Sequence, residues 1–401
     1  MNTLLQKYLQ KLIKRKLVNP SNVILIGKDD KLYTAGTTSE KSLSTIIRLF
    51  DLLKVNTLLY AEPAGAWLSC IKETLKNSSS AEVLPQDCET RTFFHHFPVV
   101  DRFNPQKLAE ALSETKAVII KNPLAILSKS TVSPEQAFVA FSSACFSLFV
   151  KALYDILKKC QIEGPLKGQA LQEFLKLWQQ IPDIPLPELP ELQWPHTVTE
   201  AKELLIQIGK TMVSTSLVDS YFGNLSLLIN NTILITQTAA SLDELEDAIE
   251  EVPFKGGSTV ALIASSEMPT HKRIYEQTDH KVILHGHPKF SVIMSMLCEQ
   301  PCEIKGLCHI KCPRERYLCG AKVVPGEIGT GRFGIVNTVP GALTNNDAVV
   351  VISHGVFTAD NKNATEALKR MVEIEQCAKV RYYKIVTGRE LEEYKSCSCT
   401  N

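Results

Sequence analysis

Lys281-Val-Ile-Leu-His-Gly-His-Pro288 sets two histidines one residue apart at the end of an apolar run. Alternate side chains of a strand share a face, so His285 and His287 point the same way. Val282, Ile283 and Leu284 are the residues a buried strand uses, and Pro288 stops its ladder. A catalytic zinc site usually takes three protein ligands and keeps a position open, and two imidazoles on one face supply two of them. By itself the pair fits either a metal site or ordinary strand-end histidines.

Residues 347–357, Asp-Ala-Val-Val-Val-Ile-Ser-His-Gly-Val-Phe, form another apolar strand that ends in a histidine followed by glycine. His354 is a natural third ligand, and Gly355 lets the backbone crowd close to a metal. Ala261-Leu-Ile-Ala-Ser-Ser-Glu267 reads as a buried strand that delivers a carboxylate. Three histidines and an acid at strand ends make a site rather than a core.

These motifs stand in a recognisable order. A Ser-Gly-Asn-like turn at Phe222-Gly223-Asn224 precedes Leu234-Ile-Thr-Gln-Thr238, then Ser265-Ser266-Glu267 with His271, Ile274 and Tyr275. His285-x-His287-Pro288 and Ser353-His354-Gly355 complete the series. From about 198 to 390 the chain resembles the class II aldolase/adducin family. The resemblance implies an α/β fold: layered α/β/α, with a central mixed or mainly antiparallel sheet flanked by helices. It implies that His285, His287 and His354 hold Zn2+ or another divalent metal, and that Glu267 is the catalytic acid/base. Gly223, Asn224, Thr236, Ser265 and Ser266 match the loops that hold a substrate phosphate. They also read simply as turn residues. Phe222 and the sequence Gln237-Thr238-Ala239 depart from the family pattern, so a free sugar or hydroxy acid is open as substrate beside a phosphate.

The implied activity is a zinc-dependent aldehyde-lyase of carbohydrate metabolism, cleaving a sugar phosphate or related hydroxy-carbonyl compound through a zinc-stabilised enediolate. A dehydratase or a decarboxylase would use the same site. Epimerases of the family carry aspartate where Glu267 stands. A non-catalytic interaction protein, as in adducin, is the alternative of another class, but its domain lacks the metal histidines. No tyrosine stands where the family's aldolases use one to take the proton of the distal hydroxyl. His309 and Tyr317 are the nearest candidates.

The rest of the chain bounds this picture. With 44 Lys+Arg against 43 Asp+Glu over 401 residues, nothing in the composition favours nucleic acid or a membrane surface as partner. The lysine-rich start lacks a signal-peptide core, and Ala137–Val150, the most apolar run, is short for a bilayer and reads as a buried helix. A cytoplasmic protein with mostly reduced thiols is expected. Cys70, Cys145, Cys160 and Cys377 read as small core residues.

Ile181 to Pro195 holds five prolines in fifteen residues, an extended connector. It divides a domain at 1–180 from one at 198–401, with a linker at 181–197. The first domain reads as a tandem, degenerate copy of the second. Thr57-Leu-Leu-Tyr-Ala-Glu-Pro63 parallels Val282-Ile-Leu-His-Gly-His-Pro288, and Ala117-Val-Ile-Ile-Lys-Asn-Pro123 parallels Ala348-Val-Val-Val-Ile-Ser-His354. Tyr60, Glu62 and Pro123 then replace the three histidines, and the Glu267 segment has no counterpart. Family relatives are often fourfold rings, so a homo-oligomer is implied, two chains supplying four modules as a pseudo-fourfold dimer.

Cys298, Cys302, Cys308, Cys312 and Cys319 crowd one stretch with His309 among them. A second zinc, an iron–sulfur cluster, a disulfide and plain thiols all remain open for them.

Overall fold

The computed structural model describes residues 1–76, 81–183, 193–219, 221–257, 259–298, 302–304 and 306–391. The middle of the proline-rich connector and the C-terminal tail lie outside the described residues. The chain forms two compact units, Met1–Leu153 with Gln172–Pro182 and Tyr154–Leu171 with Asp183–Asn401. The segment Tyr154–Leu171 therefore belongs with the second unit, although it precedes the connector.

In chain order the elements before the connector are α1 (Asn2–Lys14), β1 (Val18–Lys28), β2 (Leu32–Thr37), α2 (Glu40–Leu52) and β3 (Thr57–Pro63). There follow α3 (Gly65–Lys76), β4 (Glu82–Val83), α4 (Cys88–Phe94), β5 (Phe97–Arg102), α5 (Pro105–Glu114), β6 (Ala117–Asn122) and β7 (Ala125–Ser130). Helices α6 (Pro134–Glu163) and α7 (Gly168–Trp178) close the series. The first unit's sheet runs β2-β1-β3-β7-β6-β5-β4. All its neighbours are antiparallel except β5 and β6. Ile24, Ile26, Leu58, Tyr60, Val118, Ile120 and Leu127 share one core cluster with Ile46, Leu49 and Phe50 of α2 and Leu108 and Leu112 of α5. Ser39 starts α2 by accepting from the Ser42 amide, one of the four amides a helix leaves unpaired. The apolar run Ala137–Val150, read as a buried helix, lies inside the 30-residue α6. Length and composition would let α6 cross a membrane, but 83% of its apolar window is buried.

The second unit opens with α8 (Val198–Ser214), started by a capping box of Thr197 and Glu200. Then come β8 (Asn224–Ile229), β9 (Thr232–Thr236), β10 (Ile249–Pro253), α9 (Met268–Gln277), β11 (Val282–Gly286) and α10 (Lys289–Ser295). After these stand β12 (Arg316–Leu318), β13 (Ala321–Val324), α11 (Val339–Leu343), β14 (Ala348–Val351), β15 (Gly355–Asp360) and α12 (Ala364–Thr387). The sheet order is β10-β9-β8-β11-β15-β14-β13-β12. Among its described strands only β13 and β14 run parallel. Removing β10 leaves the order of the first sheet strand for strand, with the same pairing senses.

One face of this sheet packs Ile283, Val349 and Phe357 with Ile274 and Tyr275 of α9 and Val339 and Leu343 of α11. Helix α12 packs on β11, β15 and α10. Its Leu368, Met371, Val372, Ile374 and Ala378 are buried as their helical spacing predicts.

One expected element is different. Residues 259–262 form a 3₁₀ turn, and Ala264 makes only an isolated bridge to Gln237. Leu262 is 84% exposed and Ile263 55%, so apolar composition here does not mark a buried strand. Glu267 instead occupies the N-cap position of α9, fixed by the helix that Pro269 helps to start.

Candidate metal centre and active site

Three strands converge on the site. On β8, Asn224 pairs across the ladder with His285 of β11, which pairs on its other side with Phe357 of β15. His287 follows β11, its amide donating to the Leu217 carbonyl at 3.0 Å. His354 sits in the tight turn between β14 and β15, beside Ser353 with φ 58. All three histidines are 1% exposed. His285 Nε2 lies 3.0 Å from His287 Nε2 and 3.2 Å from His354 Nε2. The Glu267 carboxyl approaches His285 Nε2 at 3.5 Å and His354 Nε2 at 3.4 Å.

Such crowding depends on glycine. A Cβ on Gly355 would meet the Gly286 carbonyl oxygen at 2.3 Å, the His285 ring at 3.0 Å and the His287 ring at 3.2 Å. Gly223 has φ +113, and a Cβ there would meet the His285 carbonyl oxygen at 2.6 Å. Phe357 stacks on the His285 ring at 3.9 Å, and Phe222 lies 5.5 Å from the His287 ring. Phe222, which departs from the family's turn pattern, thus walls the cluster.

The protonation states follow from this environment. Burial pushes His285 down to about 4, opposed by the Glu267 charge and helped by His354. Burial, with His285 and His354, also lowers His287. Burial alone would raise the Glu267 carboxyl, but His285, His354 and the Asn224 amide hold it below the usual carboxylate range. At neutral pH the cluster is therefore a carboxylate facing neutral imidazoles. His285 Nδ1 lies 3.1 Å from the Val356 carbonyl oxygen, so it donates there and Nε2 keeps its lone pair inward. A buried carboxylate and inward imidazole lone pairs call for positive charge. The three histidines offer ligand atoms within 4.8 Å of one another, a donor set that fits a divalent ion.

The small polar residues are placed differently from a simple phosphate loop. Asn224 Nδ2 donates to Glu267 at 2.8 Å, and Ser265 Oγ accepts from the Glu267 amide at 3.3 Å. Thr236 is fully buried and its hydroxyl accepts from the Leu225 amide at 3.3 Å. Ser266 is exposed. Three of the five residues, Asn224, Ser265 and Thr236, thus spend these contacts on holding Glu267 and the strand that carries Asn224. His309 lies in the loop between α10 and β12, its carbonyl accepting from Gly326 at 2.8 Å, and is not in the histidine group. Tyr317 is 57% exposed and bonded to Glu315.

Two further residues, Ser226 and Glu375, escaped the sequence, which marks His271 and Tyr275 only as motif residues. Ser226 Oγ lies 2.6 Å from both His271 Nδ1 and Tyr275 Oη. The alternation Asn224, Ser226 on β8 and the i,i+4 pair His271, Tyr275 on α9 were the available signals. Glu375 of α12 accepts from the Phe290 and Ser291 amides at 2.8 and 2.7 Å, fixing the helix that follows Pro288. Nothing local to β11 announces that distant acid.

The cysteine group needs a correction. Cys319, at the β12–β13 turn, is joined in a disulfide to Cys377 of α12, with Cα atoms 6.0 Å apart. Cys377 is buried as expected but bridged, because the turn lies against that helix. Cys298, Cys302, Cys308 and Cys312 line one cavity.

Residues 203–382 match the Class II Aldolase and Adducin N-terminal domain family. The probable L-ribulose-5-phosphate 4-epimerase UlaF of Mycoplasma pneumoniae is 24% identical over 210 residues, covering 49% of this chain and 86% of the relative. L-fuculose-1-phosphate aldolase from Thermus thermophilus is 24% identical, with TM-score 0.38, covering 46% of this chain and 93% of its own. YgbL of Klebsiella pneumoniae is 24% identical, with TM-score 0.40, covering 47% and 92%.

Proposed function

We propose that the second unit is a zinc-dependent lyase that cleaves a sugar phosphate or related hydroxy-carbonyl compound by retro-aldol chemistry. The observation that carries this is the convergence of His285, His287 and His354 on a carboxylate held ionised. A divalent ion bound by those histidines would supply Lewis-acid polarisation of a substrate carbonyl and its neighbouring hydroxyl. Glu267 takes and returns the proton at the adjoining carbon, with Asn224 donating to its carboxylate and Ser265 accepting from its backbone amide. Phe222 and Phe357 wall the histidines and keep bulk water from them. Glutamate at 267, where the resemblance implies aspartate in epimerases, favours cleavage over epimerisation. The name of the Mycoplasma relative, an epimerase of a sugar phosphate, supports that substrate class.

We read the first unit as a copy whose ligands are gone. The shared strand order supports this, and Glu62 is engaged by Asn19 and Asn22 at 3.4 and 3.3 Å. In this reading two chains supply four modules, and light scattering should find a dimer.

The test is a screen of phosphorylated ketoses and hydroxy acids for aldehyde release, run with Glu267→Gln beside the natural protein. Loss of a general base should lower the rate by about 10²–10⁴-fold with metal content unchanged. Full activity in that variant would sink the lyase, and loss of the ion would make the carboxylate a ligand.

A further inference from the structure

With Cys319 committed to Cys377, the remaining thiols of the stretch fall into two pairs of one kind, Cys298-x3-Cys302 and Cys308-x3-Cys312. Two to four residues between paired cysteines is the spacing of structural zinc sites. All four line one cavity of about 20 Å³, enough for a single water-sized occupant. We propose that Cys298, Cys302, Cys308 and Cys312 bind a zinc ion of their own, separate from the histidine cluster, which fastens the loop between α10 and β12.

The loop has need of such a fastening. None of its described residues from 296 to 317 is buried, and these contain no helix or strand before Arg316. A segment of this length without its own core does not offset the entropy of ordering by apolar burial. Its ends are held: Arg316 donates to the Ser295 and Leu297 carbonyls at 2.8 and 2.6 Å, and Gln161 donates to the Cys298 carbonyl at 3.0 Å. The Gly326 amide donates to the His309 carbonyl from the far side. Between those ends, the four thiols are what the loop gathers into a common space.

Charge agrees with thiolate coordination. Four thiolates around one Zn2+ leave a net charge of about −2, and binding releases the thiol protons to solvent. Lys311, Arg314 and Arg316 line the same cavity and would offset that charge and favour the thiolates. Among the described residues the four thiols do not all lie within 4.8 Å of one another as the histidines do, so ligation would draw them together. Zinc should therefore change the loop's accessibility, and the inference does not rest on the proposed lyase reaction.

The experiment uses the full chain purified under reducing conditions. Elemental analysis should give about two zinc ions per chain, falling to about one in Cys308→Ser and to about one in His287→Ala. Cobalt(II) in place of zinc should give the intense sulfur-to-metal absorption of tetrahedral thiolates, retained in His287→Ala and lost in Cys308→Ser. Protease cleavage within residues 302–312 should slow when zinc is added. Should Cys308→Ser fail to fold, a mercurial titrated into the natural protein must release about one zinc ion as the thiols react. Release of none, or an unchanged zinc content in a folded Cys308→Ser, would overturn the site. Iron with acid-labile sulfide in place of zinc would overturn the assignment of the metal.

Discussion

Gly355→Ala tests whether the histidine cluster is held by backbone contact. The added Cβ would lie 2.3 Å from the Gly286 oxygen, about 1.1 Å short of ordinary contact at 3.4 Å, and would also press the His285 and His287 rings. Gly286 pairs with Val356 across the β11–β15 ladder, so relief means parting these strands where His285 and His354 meet. Overpacking of this kind costs about 1–3 kcal/mol. For a unit of this size that lowers Tm by roughly 2–12 °C. The metal should suffer more, since ligand positions tolerate only about 0.2 Å. Changes in the groups that merely orient ligands weaken metal binding by about 10–100-fold, and Gly355→Ala should do at least as much. Competition against a chromophoric chelator reads the affinity, and thermal unfolding with and without chelator reads the stability. Gly341→Ala is the control, because a Cβ there meets nothing within 4 Å. Natural metal affinity in Gly355→Ala would refute the packing argument.

Other outcomes follow from the same contacts. Burial holds His271 at about 3, below its ordinary 6.5, with His285 also lowering it and Glu267 opposing. The neutral ring thus contributes stability that is complete above about pH 6.5 and lost as pH falls toward 3, at up to about 1.4 kcal/mol per pH unit. Denaturant unfolding between those limits should show a shallower slope in His271→Phe, and parallel slopes would contradict a neutral buried imidazole. Glu375→Ala leaves the Phe290 and Ser291 amides without their acceptor, each bond to a charged group being worth about 1.5–3 kcal/mol. Its Tm should drop on the order of 6–24 °C, with Glu375→Gln falling between; a shift under a few degrees would show that α10 needs no such anchor.

How much was legible depended on the range of the interaction. Strand patterns at Val282–Gly286 and Ala348–Val351 carried their own signal, because a buried strand between two helical layers must be apolar on both faces. Parallel spacing of motifs in the two halves agrees with the common strand order of the two sheets, since each strand is a local element with its own sequence pattern. The segment before Glu267 misled for the converse reason. Ala-Leu-Ile-Ala has strand composition, but exposure is decided by what packs over it, and Leu262 stays open to solvent.

The chain by itself determined the two α/β units, the pair of histidines at the end of β11, and the glycine beside His354, because period, turn chemistry and β-branched runs act within a few residues. Tertiary structure decided which side chains meet. It set Asn224 against Glu267, placed Ser226 between His271 and Tyr275, and brought Glu375 from 85 residues away to the start of α10. It also took Cys319 out of the cysteine group by pairing it with Cys377 across 58 residues. Such contacts form only when strands are ordered in a sheet and helices laid on its faces, so no local pattern encodes them.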